Sequence, residues 1–379
     1  MNCFTFASVN VFQEMSIDTS SVVRALAKVS DPVTGQDLIT ANMVRDLNIE
    51  GDSISFTLEL ASLNAQHKSE LNFACQGAIA EVYPQAKVHV HMMSRTADPQ
   101  QQTSALPQVK NVIAVASGKG GVGKSTIAAN LALGLQMLGA RVGLVDADIY
   151  GPSVPTMFGL QGQRPKVRDV YGQPKMVPLD AYGIALMSIG FIIEPEQAVV
   201  LRGPRLAGII KQFFNDCLWP ELDYLVVDLP PGTGDVQLTL VQTVPVTGAI
   251  IVTTPQEVAV IDAVKASNMF QLPGVAVPLL GVVENMSWFT PKELPDHKYL
   301  IFGQGGGKKL ALVNNTVLLG QVPLVQGIRE AGDGGRPIIL DEEDPISREA
   351  FLNVAKNVAR QVAIRNETIA PTQVVKMAQ

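Results

Sequence analysis

The stretch NVIAVASGKGGVGKST, residues 111–126, constrains this chain more than any other part of it. Its first half is an apolar run that reads as a buried strand. Glycines then fall at 118, 120, 121 and 123, and residues 126–138 carry the apolar spacing of a helix. Glycine allows dihedrals and close approaches that a Cβ forbids, so successive N–H groups can converge on an anion at a helix N-terminus. Lys124 adds a cation, and Ser125 adds a hydroxyl suited to Mg2+. Strand, loop and helix in this order make a phosphate cradle from Gly118, Lys119, Gly120, Gly121, Val122, Gly123, Lys124, Ser125 and Thr126.

A loop of this kind needs a sheet to sit on. Buried-type apolar runs recur at 142–145, 184–189, 224–227, 249–253 and 279–283, mostly separated by helical segments. That pattern predicts an α/β chain: a P-loop NTPase with a mainly parallel sheet covered by helices on both faces. In front of it, residues 18–93 read as a small α+β domain. A helix is expected over 21–29, a hairpin of 44–49 and 54–60 turning at Gly51-Asp52, a helix over 68–82 and a strand over 86–92. His89 and His91 alternate on that last strand and read as solvent-facing. Residues 94–110, polar and containing proline, read as a linker, and the larger domain as 111–365. The acidic run 341–344 reads as a solvated turn before a helix over 347–363.

Composition narrows the function. At 379 residues with 17% charged and 47% hydrophobic residues, the chain has enough apolar material for two cores. A formal net charge of −6 argues against a broad nucleic-acid surface, and DNA is not expected as a partner. Three cysteines, Cys3, Cys75 and Cys217, form no disulfide pattern. Neither a signal segment nor an uninterrupted membrane-spanning run is evident, and the C-terminal residues lack a clear basic or amphipathic face. A cytoplasmic protein without membrane contact is expected.

Two acidic motifs follow predicted strands. Asp146-Ala-Asp148 follows 142–145, and Asp228-Leu-Pro-Pro-Gly232 follows 224–227; acids at the carboxyl ends of parallel strands face the ligand crevice. Asp148 is expected to orient the attacking water, Ser125, Asp146 and Asp228 to form the Mg2+ shell, and the Gly232 N–H to sense the γ-phosphate. The early lysine in GKGGVGKS resembles the signature of the deviant-Walker-A ATPases, the group containing MinD, ParA and the nitrogenase iron protein. That resemblance implies that Lys119 reaches the partner's phosphates across a nucleotide-sandwich homodimer. It also implies that Asn285 contacts the adenine of ATP, with Val322-Pro323 as a second wall.

Over roughly residues 20–364 the chain resembles the Mrp/ApbC family of iron-sulfur cluster carrier ATPases. DPVTGQDLITANMVRDLNIEGDSISFTLEL looks like that family's N-terminal MIP18-type domain. GKGGVGKS, DADIYGPSVP, LRGP, LDYLVVDLPPGTGD, VVENMSWF, IFGQGGGKKLA and IREAGDGGRP look like its ATPase domain. The resemblance implies ATP hydrolysis and transfer of iron-sulfur clusters to apo-protein clients. It further implies a bridging 4Fe-4S cluster held by a Cys-x-x-Cys pair from each subunit.

The chain departs from that pattern where the ligands belong. After Glu284-Asn-Met-Ser, residues 288–298 contain no cysteine, and Ala65-Gln66 stand where the front domain normally has Cys-Pro. Cys75 and Cys217 read as buried helical hydrophobes, Cys3 as part of a flexible tail, and His297 with Glu293 and Asp296 as polar loop surface. The cluster ligands are therefore unassigned. The competing expectation is a nucleotide-gated scaffold or client adaptor that has lost direct cluster binding.

Overall fold

The computed structural model describes residues 17–32, 35–60, 65–94, 106–149, 151–193, 203–291, 293–294, 297–372 and 374. Cys3, most of the expected linker, and Lys292, Pro295 and Asp296 lie outside them.

Asp18 opens helix α1 (Thr19–Leu26), its carboxylate accepting the Ser21 N–H at 3.0 Å and so satisfying one of the free donors of the first turn. Strands β1 (Val44–Glu50) and β2 (Ser53–Leu60) pair antiparallel around Gly51, whose φ of 59° suits the tight turn. Helix α2 (Ala65–Ala80) carries the chain back so that β3 (Lys87–Ser94) runs parallel to β2. The sheet order is β1-β2-β3, over a core that includes Leu26, Phe56, Leu58, Leu71 and Cys75. His89 and His91 are exposed, as their alternation predicts.

The larger unit begins with β4 (Val109–Ser117), α3 (Lys124–Met137), β5 (Val142–Asp146) and α4 (Val154–Met157). A projecting hairpin, β6 (Lys166–Val170) with β7 (Gln173–Val177), precedes β8 (Leu179–Ala181) and β9 (Ile184–Ser188). Then follow α5 (Gly203–Asn215), β10 (Leu222–Asp228), α6 (Asp235–Thr243), β11 (Gly248–Thr253), α7 (Glu257–Gln271) and β12 (Leu279–Glu284). The chain closes with α8 (Gly306–Val313), β13 (Leu318–Gln321), α9 (Gln326–Asp333) and α10 (Pro345–Thr368).

The strand order is β13-β12-β11-β4-β10-β5-β9-β8, parallel except for β8. β10 and β11 are buried along their whole length because helices cover both faces. Alternation along β4 divides the cores: Val112, Ala114 and Ala116 meet residues of α5, α6, α7 and α8, whereas Ile113 and Val115 meet α3 and α10. The strand order switches sides at β4, which has β10 on one side and β11 on the other, and the crevice for a ligand opens at the carboxyl ends there.

Two details differ from the sequence expectation. Cys217 lies beyond the end of α5, in a bridge to Met176, although it is buried as expected. The acidic run is more than a solvated turn: Asp344 N-caps α10, accepting from the Ser347 N–H at 3.0 Å. Helix α10 also reaches the small unit. Ala363 and Ile364 pack against its core, and Glu367 accepts the Leu47 N–H at 2.5 Å. No helix among the described residues is long and apolar enough to cross a membrane.

Candidate functional site

β4 ends at Ser117 and α3 begins at Lys124, so residues 118–123 form the loop between them. Gly121 and Gly123 take φ of 81° and 79°, which L side chains adopt reluctantly. Gly118 is required for a different reason: a Cβ there would overlap the Asp262 backbone of α7. The Ser117 hydroxyl donates to the Lys119 carbonyl at 2.9 Å and fixes the loop's entry. Lys119 itself is partly exposed, and its ammonium has no ion-pair partner among the described residues.

Lys124 is buried at the start of α3, with its ammonium 2.6 Å from Asp228 Oδ1 and 3.3 Å from Asp148 Oδ2. Burial alone would lower its pKa, but Asp228, Asp148 and Asp146 outweigh that and raise it above the ordinary lysine value. Parallel pairing sets Asp146 and Asp228 side by side as register partners at the ends of β5 and β10, both fully buried. Burial and the neighbouring Asp228 push Asp146 up to about 8. Burial also raises Asp228, against the pull of Lys124.

The three acids are not equivalent. Asp146 is saturated by protein donors: the N–H of Asp148 at 3.1 Å on Oδ1, and the N–H of Val154 at 3.3 Å and the hydroxyl of Ser188 at 2.8 Å on Oδ2. It organises the segment that presents Asp148 and starts α4. Asp228 Oδ2 and Asp148 Oδ1, by contrast, are buried with no hydrogen-bond partner among the described residues. Unanswered carboxylate oxygens facing a phosphate loop fit a hydrated cation.

Gly232, expected from the sequence to sense the γ-phosphate, is engaged by the protein itself in this conformation. Its N–H donates to the Ser117 carbonyl at 2.8 Å and is therefore not free for a phosphate. Gln237 braces the same loop by donating to the carbonyls of Pro230 and Gly232.

Beside the loop lies a cleft of about 390 Å³ lined by Gly123, Thr126, Met157, Asn285, Pro323 and Ile328, among others. Asn285 donates to the Val122 carbonyl at 2.9 Å, and a Cβ on Gly123 would overlap its amide, so Asn285 sits directly on the loop. Pro323 lines the cleft, while Val322 is buried in the core beneath it. Sequence reading missed Met157, Met286 and Ile328 in this cleft, and Ser188 behind Asp146. Ser188 had a findable signal, a polar residue ending an apolar strand.

The described cysteines lie far from any ligand role. Cys75 and Cys217 are buried, and burial pushes both thiols up to about 12. Among the described residues no group of three or more His, Cys, Asp or Glu could hold a metal ion. His297 and Glu293 are exposed.

Comparison with known proteins bears on both units. A family model described as NUBPL iron-transfer P-loop NTPase matches residues 108–359, and one described as iron-sulfur cluster assembly protein matches 19–92. A protein of Synechocystis sp. named iron-sulfur cluster carrier protein is 46% identical over 352 residues, covering 92% of this chain and 99% of that one. One of the same name from Deinococcus radiodurans is 43% identical, covering 93% and 98%. Among solved structures, a nucleotide-binding protein from Archaeoglobus fulgidus in complex with ADP is 36% identical. It superposes with a TM-score of 0.56, covering 68% of this chain and 98% of that one.

Proposed function

The chain belongs to the NUBPL iron-transfer P-loop NTPase family, with an iron-sulfur cluster assembly unit in front, and from that membership we propose that it is an ATP-hydrolysing carrier delivering iron-sulfur clusters to apo-proteins. The observation that carries the ATPase part is the buried group of Lys124, Asp228 and Asp148 at the phosphate loop, beside a cleft of nucleotide-base size.

In this reading Lys124 exchanges its carboxylate partners for phosphate oxygens, and the N–H groups of 118–126 cradle them. Ser125 and Asp228 would hold Mg2+, with Asp146 one step back, positioning Asp148. The bound ion supplies neutralisation of phosphate charge. Asp148 orients the attacking water, and Gly232 reaches the phosphate only after releasing Ser117. Asn285 and Pro323 hold the adenine. Phosphoryl transfer asks for positioning more than covalent chemistry, which suits a site with no strong base. Lys119, which has no ion-pair partner among the described residues, completes the site of a second copy in a homodimer. The setting is cytoplasmic, consistent with cysteines that form no disulfide framework.

The cluster is cargo, and its ligands are usually thiolates. Two buried thiols with raised pKa are poor ligands, and this specific observation favours a second reading: a nucleotide-gated scaffold whose partner supplies the cluster ligands. Anaerobic reconstitution with iron and sulfide, followed by transfer to an apo-ferredoxin with and without ATP, decides between them. Stoichiometric iron and transfer support the carrier. Empty protein with intact ATPase activity, binding its client only when ATP is present, supports the scaffold.

A further inference from the structure

Glu284 ends β12 and is fully buried, an unfavourable place for a carboxylate unless both oxygens are answered. Oε2 accepts the Gly307 N–H at 2.6 Å, in the first turn of α8, and Oε1 accepts the Gln321 amide at 2.6 Å, at the end of β13. The first contact also sets a negative group at the positive end of a helix dipole. On the backbone side, the Glu284 carbonyl accepts the Val322 N–H at 2.9 Å and the Ser287 hydroxyl at 2.8 Å. The glycines opposite are fitted to it: a Cβ on Gly307 would stand 2.7 Å from Glu284 Cβ, and Gly305 N-caps α8 with φ of 75°.

These contacts converge on the cleft from behind. Asn285 follows Glu284 in the chain and sits on Gly123; Pro323 follows Val322, whose N–H Glu284 holds. The phosphate side has separate supports in Asp228, Ser117 and Asp146. We propose that Glu284 is a positioning residue for the base half of the nucleotide site, fixing Asn285 and the Val322–Pro323 turn through α8 and Gln321, and reaching the phosphate half only through the contact of Asn285 with Val122 and Gly123. The inference rests on the reading of the cleft as a nucleotide site.

Calorimetric titration with ATP and with inorganic tripolyphosphate, both with Mg2+, separates the two halves, because tripolyphosphate has no base to position. Glu284→Ala leaves the Gly307 N–H unanswered and is expected to weaken ATP by about tenfold and tripolyphosphate by no more than about twofold. Glu284→Gln is expected to recover most of the loss, since its carbonyl still accepts from Gly307 and its NH2 can donate to a turned Gln321 amide. Equal weakening of both ligands, or unchanged ATP binding, overturns the proposal. Should Glu284→Ala fail to fold, Gln321→Ala, at an exposed strand end, decides by the same comparison with a smaller selective loss expected. Wild-type protein that binds tripolyphosphate but gains nothing from the base would instead refute the cleft reading itself.

Discussion

The Gly232 N–H donates to the Ser117 carbonyl at 2.8 Å, tying the loop after β10 to the last residue before the phosphate loop. With φ of 91° and open space where a Cβ would stand, Gly232 is constrained by conformation and not by crowding. Substitution by alanine should cost about 1–2 kcal/mol in folding stability through that dihedral alone. If the bond has to be released for hydrolysis, Gly232→Ala should retain ATP binding but lose turnover, as measured by calorimetry beside phosphate release. Unchanged turnover would remove Gly232 from the mechanism.

Removing the cation at the centre of the site should be felt even without nucleotide. Lys124→Ala leaves Asp146, Asp148 and Asp228 facing one another, and breaking a buried pair of this kind typically costs about 3–5 kcal/mol. ATP binding should be abolished in calorimetry, and chemical denaturation at neutral pH should show the destabilisation.

Asp148→Asn should separate binding from chemistry. Its Oδ1 has no hydrogen-bond partner among the described residues, and an amide oxygen in place of Oδ2 can still accept from Lys124, so the fold should tolerate the change. If Asp148 orients the attacking water, as proposed, the change should slow hydrolysis by roughly 10²–10⁴-fold while the ATP dissociation constant stays near wild type. Normal turnover would overturn the assignment.

The Asp146–Asp228 pair should make the nucleotide-free protein lose stability as pH rises. Asp146 is raised to about 8 in the folded state from the ordinary aspartate value of 3.8, so between those values the folded chain binds more protons than the unfolded one. Its contribution is therefore greatest below pH 4 and declines through pH 8, with a slope of at most about 1.4 kcal/mol per pH unit. Asp146→Asn should flatten that slope in denaturation curves recorded from pH 5 to pH 8, whatever its offset at any one pH.

Cys75 and Cys217 should be silent toward both thiol reagents and clusters. Their burial and raised pKa leave almost no thiolate at neutral pH. Ellman's reagent should modify them only after unfolding, and the Cys75→Ala, Cys217→Ala double variant should take up iron and sulfide as wild type does. A lower iron content in folded double variant would contradict this.

The phosphate loop was legible in the sequence because its chemistry is local. Glycine spacing, Lys124 and Ser125 lie within a few residues of one another, and β4, β10 and β11 are apolar throughout because both faces are covered. The β6–β7 hairpin was not, since its mixed residues are mostly exposed and show no clean alternation; Tyr171-Gly172 at its turn was the only cue. β13, from Leu318 to Gln321, is too short for periodicity to register. The unequal roles of Asp146 and Asp228 depend on Ser188, 42 positions further on, which no spacing argument links to Asp146. Glu284 looks like an ordinary strand end until Gly307, 23 positions later, folds back onto it.

The last turns of α10 contribute Ala363, Ile364 and Glu367 to the small unit, although the body of that helix covers the large sheet. The two units are therefore joined by this shared helix as well as by the peptide chain that leads from one to the other. Severing that chain leaves the helix contact intact, so the front unit is seated on its neighbour and not merely tethered to it. A client docking on the small unit would push on the same rod that packs against α3, the helix that begins at Lys124.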